Sequence, residues 1–323
     1  GAASRRELSE LSDEAIHATF GHDIVLTIDQ RIQMLTETAL ARSVNRFQAK
    51  GGVAVVMDVR TGDILALANC PDFDLNTFRD QGFEADQLRN RALTDPIEVG
   101  SVMKIITAAL LIDHGLLSVD ELIDCKGGVM RIAGRTIRDT HHSTIIPFRT
   151  AFAESSNVAM AWLADTRLET RTFYDGLVRF GLGRPTGINL PGEGGGILYP
   201  PNRWTAMSKA SLAIGYETAL TPLQVVTAVG AIANNGWRMK PRLVREIRNF
   251  RGETIQKFPP ETLGRVVSAE TCQTMLQLME GVVLEGTASR EGTVPGYRVG
   301  GKTGTTVKHV EDEDGNRLYV ASF

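Results

Sequence analysis

Three cysteines in 323 residues, at positions 70, 125 and 272, are too few and too scattered for a disulfide framework or a zinc spacing. They leave the redox compartment open. No apolar run approaches the roughly 18–20 residues needed to cross a bilayer, and the opening Gly1-Ala-Ala-Ser-Arg-Arg-Glu7 lacks the apolar stretch of a signal peptide. A basic surplus is missing as well. The formal net charge is −3, which argues against a nucleic-acid binder. What is present is ordinary globular composition, 42% hydrophobic and 23% charged, so disorder and coiled coil are excluded. Glycine, at 32 residues, is somewhat enriched and points to many turns or close backbone approaches.

Residues 1–22 are polar and read as a linker or the tail of a preceding domain, with a short helix around Ser9–Ala18. A strand is expected over Ile24–Ile28, then a helix capped by Asp29, with apolar positions at Ile32, Leu35, Ala39 and Leu40. It should run to about Gln48. The clearest hairpin joins Val53–Val59 to Ile64–Ala68 through Arg60-Thr-Gly-Asp63. Both strands are nearly continuously apolar, so both faces should be covered. Residues 70–98 read as loop, in which Arg89 and Arg91 are stabilising residues without chemistry. Helices follow from Gly100 to Gly115, and at 148–165, 170–180, 222–235 and 268–285. Arg242–Asn249 reads as a strand turning at Arg251-Gly252, and Tyr297–Thr306 and Leu318–Phe323 as late strands. This is one α+β domain whose first and last strands share a sheet.

Three segments carry candidate chemistry. In Ser101-Val-Met-Lys104 the i, i+3 spacing puts a hydroxyl and an amine on one helix face. A serine nucleophile needs a base, and a lysine serves as one when burial or another cation lowers its pKa. At a helix start, Ser101 also has free N–H groups beside it for a developing oxyanion. Such a motif arises by chance about once in a chain of this length. Ser155-Ser-Asn157 interrupts an apolar helix, and its bland reading is a cap; Ser43-Val-Asn45 has the same spacing on an ordinary helix. Lys302-Thr-Gly304 follows Gly300-Gly301, and glycines in a strand mark close approach of a ligand or backbone.

In this order, the three motifs are the signature of penicillin-binding proteins and serine β-lactamases. The sequence further resembles class B penicillin-binding proteins at Val53–Asn69, 89–95, 98–101, Phe180-Gly-Leu-Gly183, Tyr199–Trp204, 221–224 and 295–305, and is most similar to their cell-division (septal) branch. The resemblance covers roughly residues 23–323. It implies the penicillin-binding transpeptidase fold, an antiparallel sheet covered by helices plus an all-helical subdomain. The implied activity is peptidoglycan D,D-transpeptidation: Ser101 attacks D-Ala-D-Ala stem peptides, Lys104 is the base, Ser155 relays protons and Lys302 tunes the network electrostatically. Asn157 would hold the donor backbone. Lys302, Thr303, Gly304 and Thr305 would hold its carboxylate, with the Ser101 and Thr305 N–H groups as oxyanion hole.

β-Lactams would acylate Ser101, and no cofactor or metal is implied. The implied partners are a division-type glycosyltransferase and other division proteins. The implied location is the periplasmic side of the bacterial inner membrane, through an upstream anchor helix. The family's last, central strand and C-terminal helix are expected to lie beyond residue 323.

Two departures stand out: Val99 where the family often has Pro, and Gly215-Tyr-Glu217 where many members have Gly-Gln-Gly. Competing readings are a D,D-carboxypeptidase, a serine β-lactamase (though no E-x-x-L-N-type segment supplies a deacylation base), and a non-catalytic β-lactam sensor or division scaffold. His141-His142 lacks companions for a metal site, and Glu311-Asp-Glu-Asp314 reads as a solvated hairpin tip rather than a calcium loop. Trp204 and Trp237 read as packing residues before cleft residues.

Overall fold

The computed structural model describes residues 21–74, 76, 85–289, 292–311, 315 and 317–323. The expected helix at Ser9–Ala18 and most of the acidic tip at 311–314 lie outside them. The centre of the molecule is the helix Met103–Asp113, buried at every position from Met103 to Leu111. A helix buried on every face must be enclosed by other elements all round. The helices Asn157–Arg167, Ser208–Ala213 and Ala269–Leu284 enclose it, and their buried residues form one continuous core. A smaller core of Ile64, Leu93, Ile188 and Leu223 lies under the N-terminal hairpin.

That hairpin pairs Gly52–Asp58 with Asp63–Cys70, and Gly62 takes φ +77 in its turn. A buried pair anchors it: Arg242 Nε donates to Asp63 Oδ1 at 2.6 Å. Thr27 Oγ1 donates to Ile64 O (2.7 Å), tying in the strand Asp23–Leu26, which pairs antiparallel with Val244–Arg248. Only Asp63–Cys70 is strongly buried; Gly52–Asp58 is half-exposed along its length, so both faces are not covered as expected.

Asp29 caps the first long helix, Gln30–Arg46, accepting from Arg31 N (2.9 Å) and Ile32 N (3.0 Å). Its inner face differs from the one expected. Leu35 is 63% exposed, whereas Gln33 turns inward, its amide pairing with both backbone groups of Leu67 (2.7 and 3.0 Å). A strand edge with unpaired N–H and C=O recruits a polar side chain more readily than an apolar one.

Three further expectations are corrected. The first and last strands do not share a sheet among the described residues. Gly304–Glu311 pairs with Arg317–Ser322 as a separate ladder, each of these strands taking a partner close in sequence, where loop-closure entropy is least. The late strand begins at Gly304 rather than Tyr297, because Gly300 and Gly301 lie against helix Ala269–Leu284. A Cβ at Gly300 would sit 3.0 Å from Glu280 N, and Gly301 N donates to Met279 O (3.1 Å). Those glycines therefore serve backbone packing. Finally, the helix expected over 148–165 is two, Phe148–Ala153 and Asn157–Arg167. The short helix Ser208–Ala213 and the hairpin Val129–Ile132/Arg135–Arg138 escaped the sequence pattern because they are too brief for periodicity to register.

Among the described residues no helix is long and apolar enough to cross a membrane.

Candidate active site

Ser101 lies in a single 3-10 turn, Gly100–Val102, that leads directly into the central helix. The turn is held by close backbone approach. Gly100 has φ +53 and its N–H reaches Gly215 O (3.3 Å), while Gly215 has φ +88. A Cβ at Gly215 would overlap the Gly100 carbonyl, which explains why glycine stands there although its neighbours depart from the family pattern. Glu217, at the end of that departure, adopts φ +58. Gly215→Ala combines a strained φ with a backbone clash, on the order of 3 kcal/mol or more. We expect the variant to lose most penicillin labelling and show a lower melting temperature; wild-type values in both assays would contradict this packing argument.

One helical turn on, Lys104 is fully buried and among the largest enclosed side chains of the described residues. Its Nζ meets Ser155 O at 2.6 Å, Asn157 Oδ1 at 2.7 Å and Ser155 Oγ at 3.2 Å. The first two partners can only accept, whereas the hydroxyl can donate or accept. A neutral amine satisfies both obligate acceptors with its two N–H bonds and keeps a lone pair for a hydroxyl proton. The electrostatics favour that form. Burial drives the Lys104 pKa well below the usual lysine value, and the charge of Lys302 pushes the same way, while Asp139 opposes them.

Ser155 owes its position to the helix break. Ser156 N donates to Ala151 O (2.8 Å) and Ser155 N to Phe152 O (3.1 Å), the paired bonds of a Schellman C-cap. The left-handed position of that cap, usually glycine, is Ser155 at φ +62. A non-glycine there costs about 1–3 kcal/mol, and the Lys104 contacts to its carbonyl and hydroxyl offset part of that. Ser156 then caps the next helix, accepting from Ala159 N (3.0 Å), and Asn157 starts it.

Lys302 is almost fully buried, its Nζ 3.3 Å from Thr303 O, and burial pushes its ammonium down to about 8. The strand it precedes leans on the Ser101 turn. Thr306 Oγ1 donates to Glu98 O (2.9 Å), and a Cβ on Gly304 would stand 2.7 Å from Val99 O. Ser101, Ser155, Asn157 and Thr303 are half-buried and Thr305 is exposed. Reactive groups thus line an accessible surface with two amines enclosed beneath it. All eight predicted site residues therefore belong to the three segments that meet here.

Two participants escaped the sequence reading. Asp139, following the strand Arg135–Arg138, accepts from Ser156 Oγ, Asn157 N and Val158 N. Thr287 joins the second and third motifs: its hydroxyl lies 2.7 Å from Thr303 Oγ1 and its N–H donates to Ala153 O (3.3 Å). No local signal marks either, since both act across long sequence separations. Other singled-out residues are structural. Arg91 Nη1 donates to Asp95 Oδ2 (3.0 Å), with Arg89 on the same carboxylate. Trp204 packs edge-on against Phe173 and Tyr174 and donates to Tyr199 O (2.7 Å). His142 Nδ1 lies 3.2 Å from Gly127 O.

Residues 52–323 match the family described as the penicillin binding protein transpeptidase domain. Penicillin-binding protein PbpB of Mycobacterium tuberculosis is 38% identical over 298 residues, covering 89% of this chain and 43% of that protein. Peptidoglycan D,D-transpeptidase FtsI of Escherichia coli is 30% identical over 301 residues, 93% of this chain and 48% of that protein. Structures of M. tuberculosis penicillin-binding protein 3 complexed with aztreonam and with ampicillin each align at TM-score 0.82 and 34% identity. Each alignment covers 93% of this chain and 69% of that one. The chain belongs to the penicillin-binding protein transpeptidase family, with the septal class B members, and spans somewhat under half the length of these two curated relatives.

Proposed function

We propose that this chain carries the acyl-transfer site of a peptidoglycan D,D-transpeptidase of septal wall synthesis, with residues 23–323 as its catalytic domain and residues 1–22 as a linker. The observation that carries this reading is Lys104, sealed from water one turn from Ser101 and held by Ser155 and Asn157. Neutral Lys104 takes the Ser101 proton as Oγ attacks the carbonyl between the two D-Ala residues of a donor stem. The Ser101 and Thr305 N–H groups receive the oxyanion. Ser155 passes the proton from Lys104 to the departing D-Ala amine, leaving an acyl-enzyme. A second stem's amine then gives up a proton along the same path, attacks, and releases Ser101. Lys302, protonated, binds the donor carboxylate with Thr303 and Thr305, Gly304 letting the backbone approach. Asn157 bonds the donor backbone.

β-Lactams enter as mimics of D-Ala-D-Ala, as the aztreonam and ampicillin complexes of the mycobacterial relative support. Cross-links form in polymer outside the cytoplasmic membrane, so this reading places the domain on the periplasmic side, supplied by a division-type glycosyltransferase.

The test is incubation with a synthetic D-Ala-D-Ala stem peptide and a labelled D-amino acid, read by mass spectrometry. Exchange of the terminal residue is expected. Hydrolysis alone would mark a carboxypeptidase. Rapid turnover of a β-lactam would mark a lactamase, a lasting β-lactam adduct without any peptide reaction a sensor, and no reaction with either substrate a scaffold.

A further inference from the structure

Asp139 is bonded to the second motif, yet the proposed chemistry gives it no part. Its own N–H donates to Gly128 O (2.9 Å), which fixes it to the base of the Val129–Arg138 hairpin. From there Oδ2 accepts from Ser156 Oγ at 2.6 Å, and Oδ1 from Asn157 N at 2.5 Å and Val158 N at 3.0 Å. A carboxylate on free N–H groups at a helix start is favoured by both hydrogen bonding and the helix dipole. The preceding residue grips the same asparagine from its side chain: Asn157 Nδ2 donates to Arg138 O at 2.8 Å. With the amide nitrogen so committed, its oxygen has one direction left, toward Lys104 Nζ at 2.7 Å. Arg138 and Asp139 together thus decide which atom of Asn157 the amine meets, and through Ser156 they hold the Ser155 carbonyl beside it.

We propose that Asp139 is a positioning residue for the acylation step, locking Ser156 and Asn157 so that Lys104 is presented with two acceptors and keeps its lone pair for a hydroxyl proton. This rests on the acyl-transfer reading above. It also has an electrostatic consequence. The charged groups acting on Lys104 are Lys302, from the segment before the last hairpin, and Asp139, and they act in opposite senses. Around Asp139 itself stand the Lys104 amine and the buried Cys125 thiol, which burial pushes up, with the Asp139, Glu154 and Asp124 carboxylates adding to the rise. Removing the Asp139 charge leaves burial and Lys302 unopposed, so Lys104 loses its proton at lower pH.

The test is the rate of penicillin acylation across pH for the unaltered chain, Asp139→Asn, Asp139→Glu and Ser156→Ala. Asp139→Asn keeps shape but not charge, and its amide oxygen can still take the Asn157 and Val158 N–H bonds while an N–H donor replaces the acceptor that faces Ser156 Oγ. A rate at least tenfold lower is expected on the plateau, with the acidic limb displaced to lower pH. Asp139→Glu keeps the charge and misplaces it, so the rate falls and the limb stays. Ser156→Ala removes one bond without altering charge, and again leaves the limb in place. A wild-type rate and limb in Asp139→Asn would overturn the proposal, as would a uniform loss in that variant with the limb unmoved. Should Asp139→Asn fail to fold, a wild-type rate in Asp139→Glu overturns it instead. Absence of any adduct on the unaltered protein is the separate result that defeats the acyl-transfer reading itself.

Discussion

Replacing Lys104 by methionine is expected to slow penicillin acylation by roughly 10²–10⁴-fold, the usual contribution of a positioned general base, in a protein that still folds. Methionine matches much of the lysine stem and suits a site with no exposed surface. The loss is chemical: among the described residues no other amine is bonded to both Ser155 and Asn157. Against this stands the cost of two orphaned acceptors, about 1–3 kcal/mol each. Asn157 is half-exposed and can rehydrate, so most of the penalty falls on the Ser155 carbonyl, whose residue is already strained at φ +62. A melting temperature lowered by several degrees is expected beside the rate loss. If acylation survived within a few-fold, the proton must leave Ser101 by another route.

The second large effect is in pH. On the proposed mechanism acylation needs Lys104 neutral and Lys302 charged, so the rate should rise through the lowered Lys104 pKa and fall as Lys302 deprotonates near pH 8. Lys302→Arg keeps its charge at any accessible pH, and is expected to abolish the alkaline limb at some cost in rate. A limb near pH 8 that persists in Lys302→Arg would assign it to another group. Stability moves with the same protons. The folded pKa of Lys302 lies below its unfolded value of about 10.4, so between them the unfolded state binds more protons. Unfolding free energy therefore rises with pH from about 8 to about 10, and the gain is lost as pH falls through 8. Lys104 adds a contribution of the same sign. Lys302→Met should flatten that rise, read as melting temperature against pH, while removing binding of the donor carboxylate.

These effects follow from what burial does to two amines, and the sequence showed the amines more plainly than the burial. The Ser101–Lys104 spacing and the mostly apolar helix from Val102 to Ile112, interrupted at Lys104 and Thr107, were legible, because an i, i+3 pair and a helix so rich in apolar residues leave few alternatives. The Asp29 cap and the Gly62 turn were legible for the same local reason. Ser155 was not. Its left-handed conformation belongs to glycine on propensity, and the contacts with Lys104 offset part of the cost of serine there. Asp139 and Thr287 were invisible because each bonds to a segment far along the chain, with no periodicity to announce it. The inward turn of Gln33 failed likewise: a strand edge's demand for a polar partner overrode hydrophobic pattern. Local rules located the chemistry, and long-range hydrogen bonds tuned it.

The central claim, that the Ser101 hydroxyl does the chemistry with an enclosed lysine one helical turn away, is tested most directly by incubating the protein with a fluorescent penicillin and mapping the modified peptide. The account predicts a single stable adduct on Ser101, lost in Ser101→Ala. An adduct on any other residue, or one that survives that substitution, would contradict it.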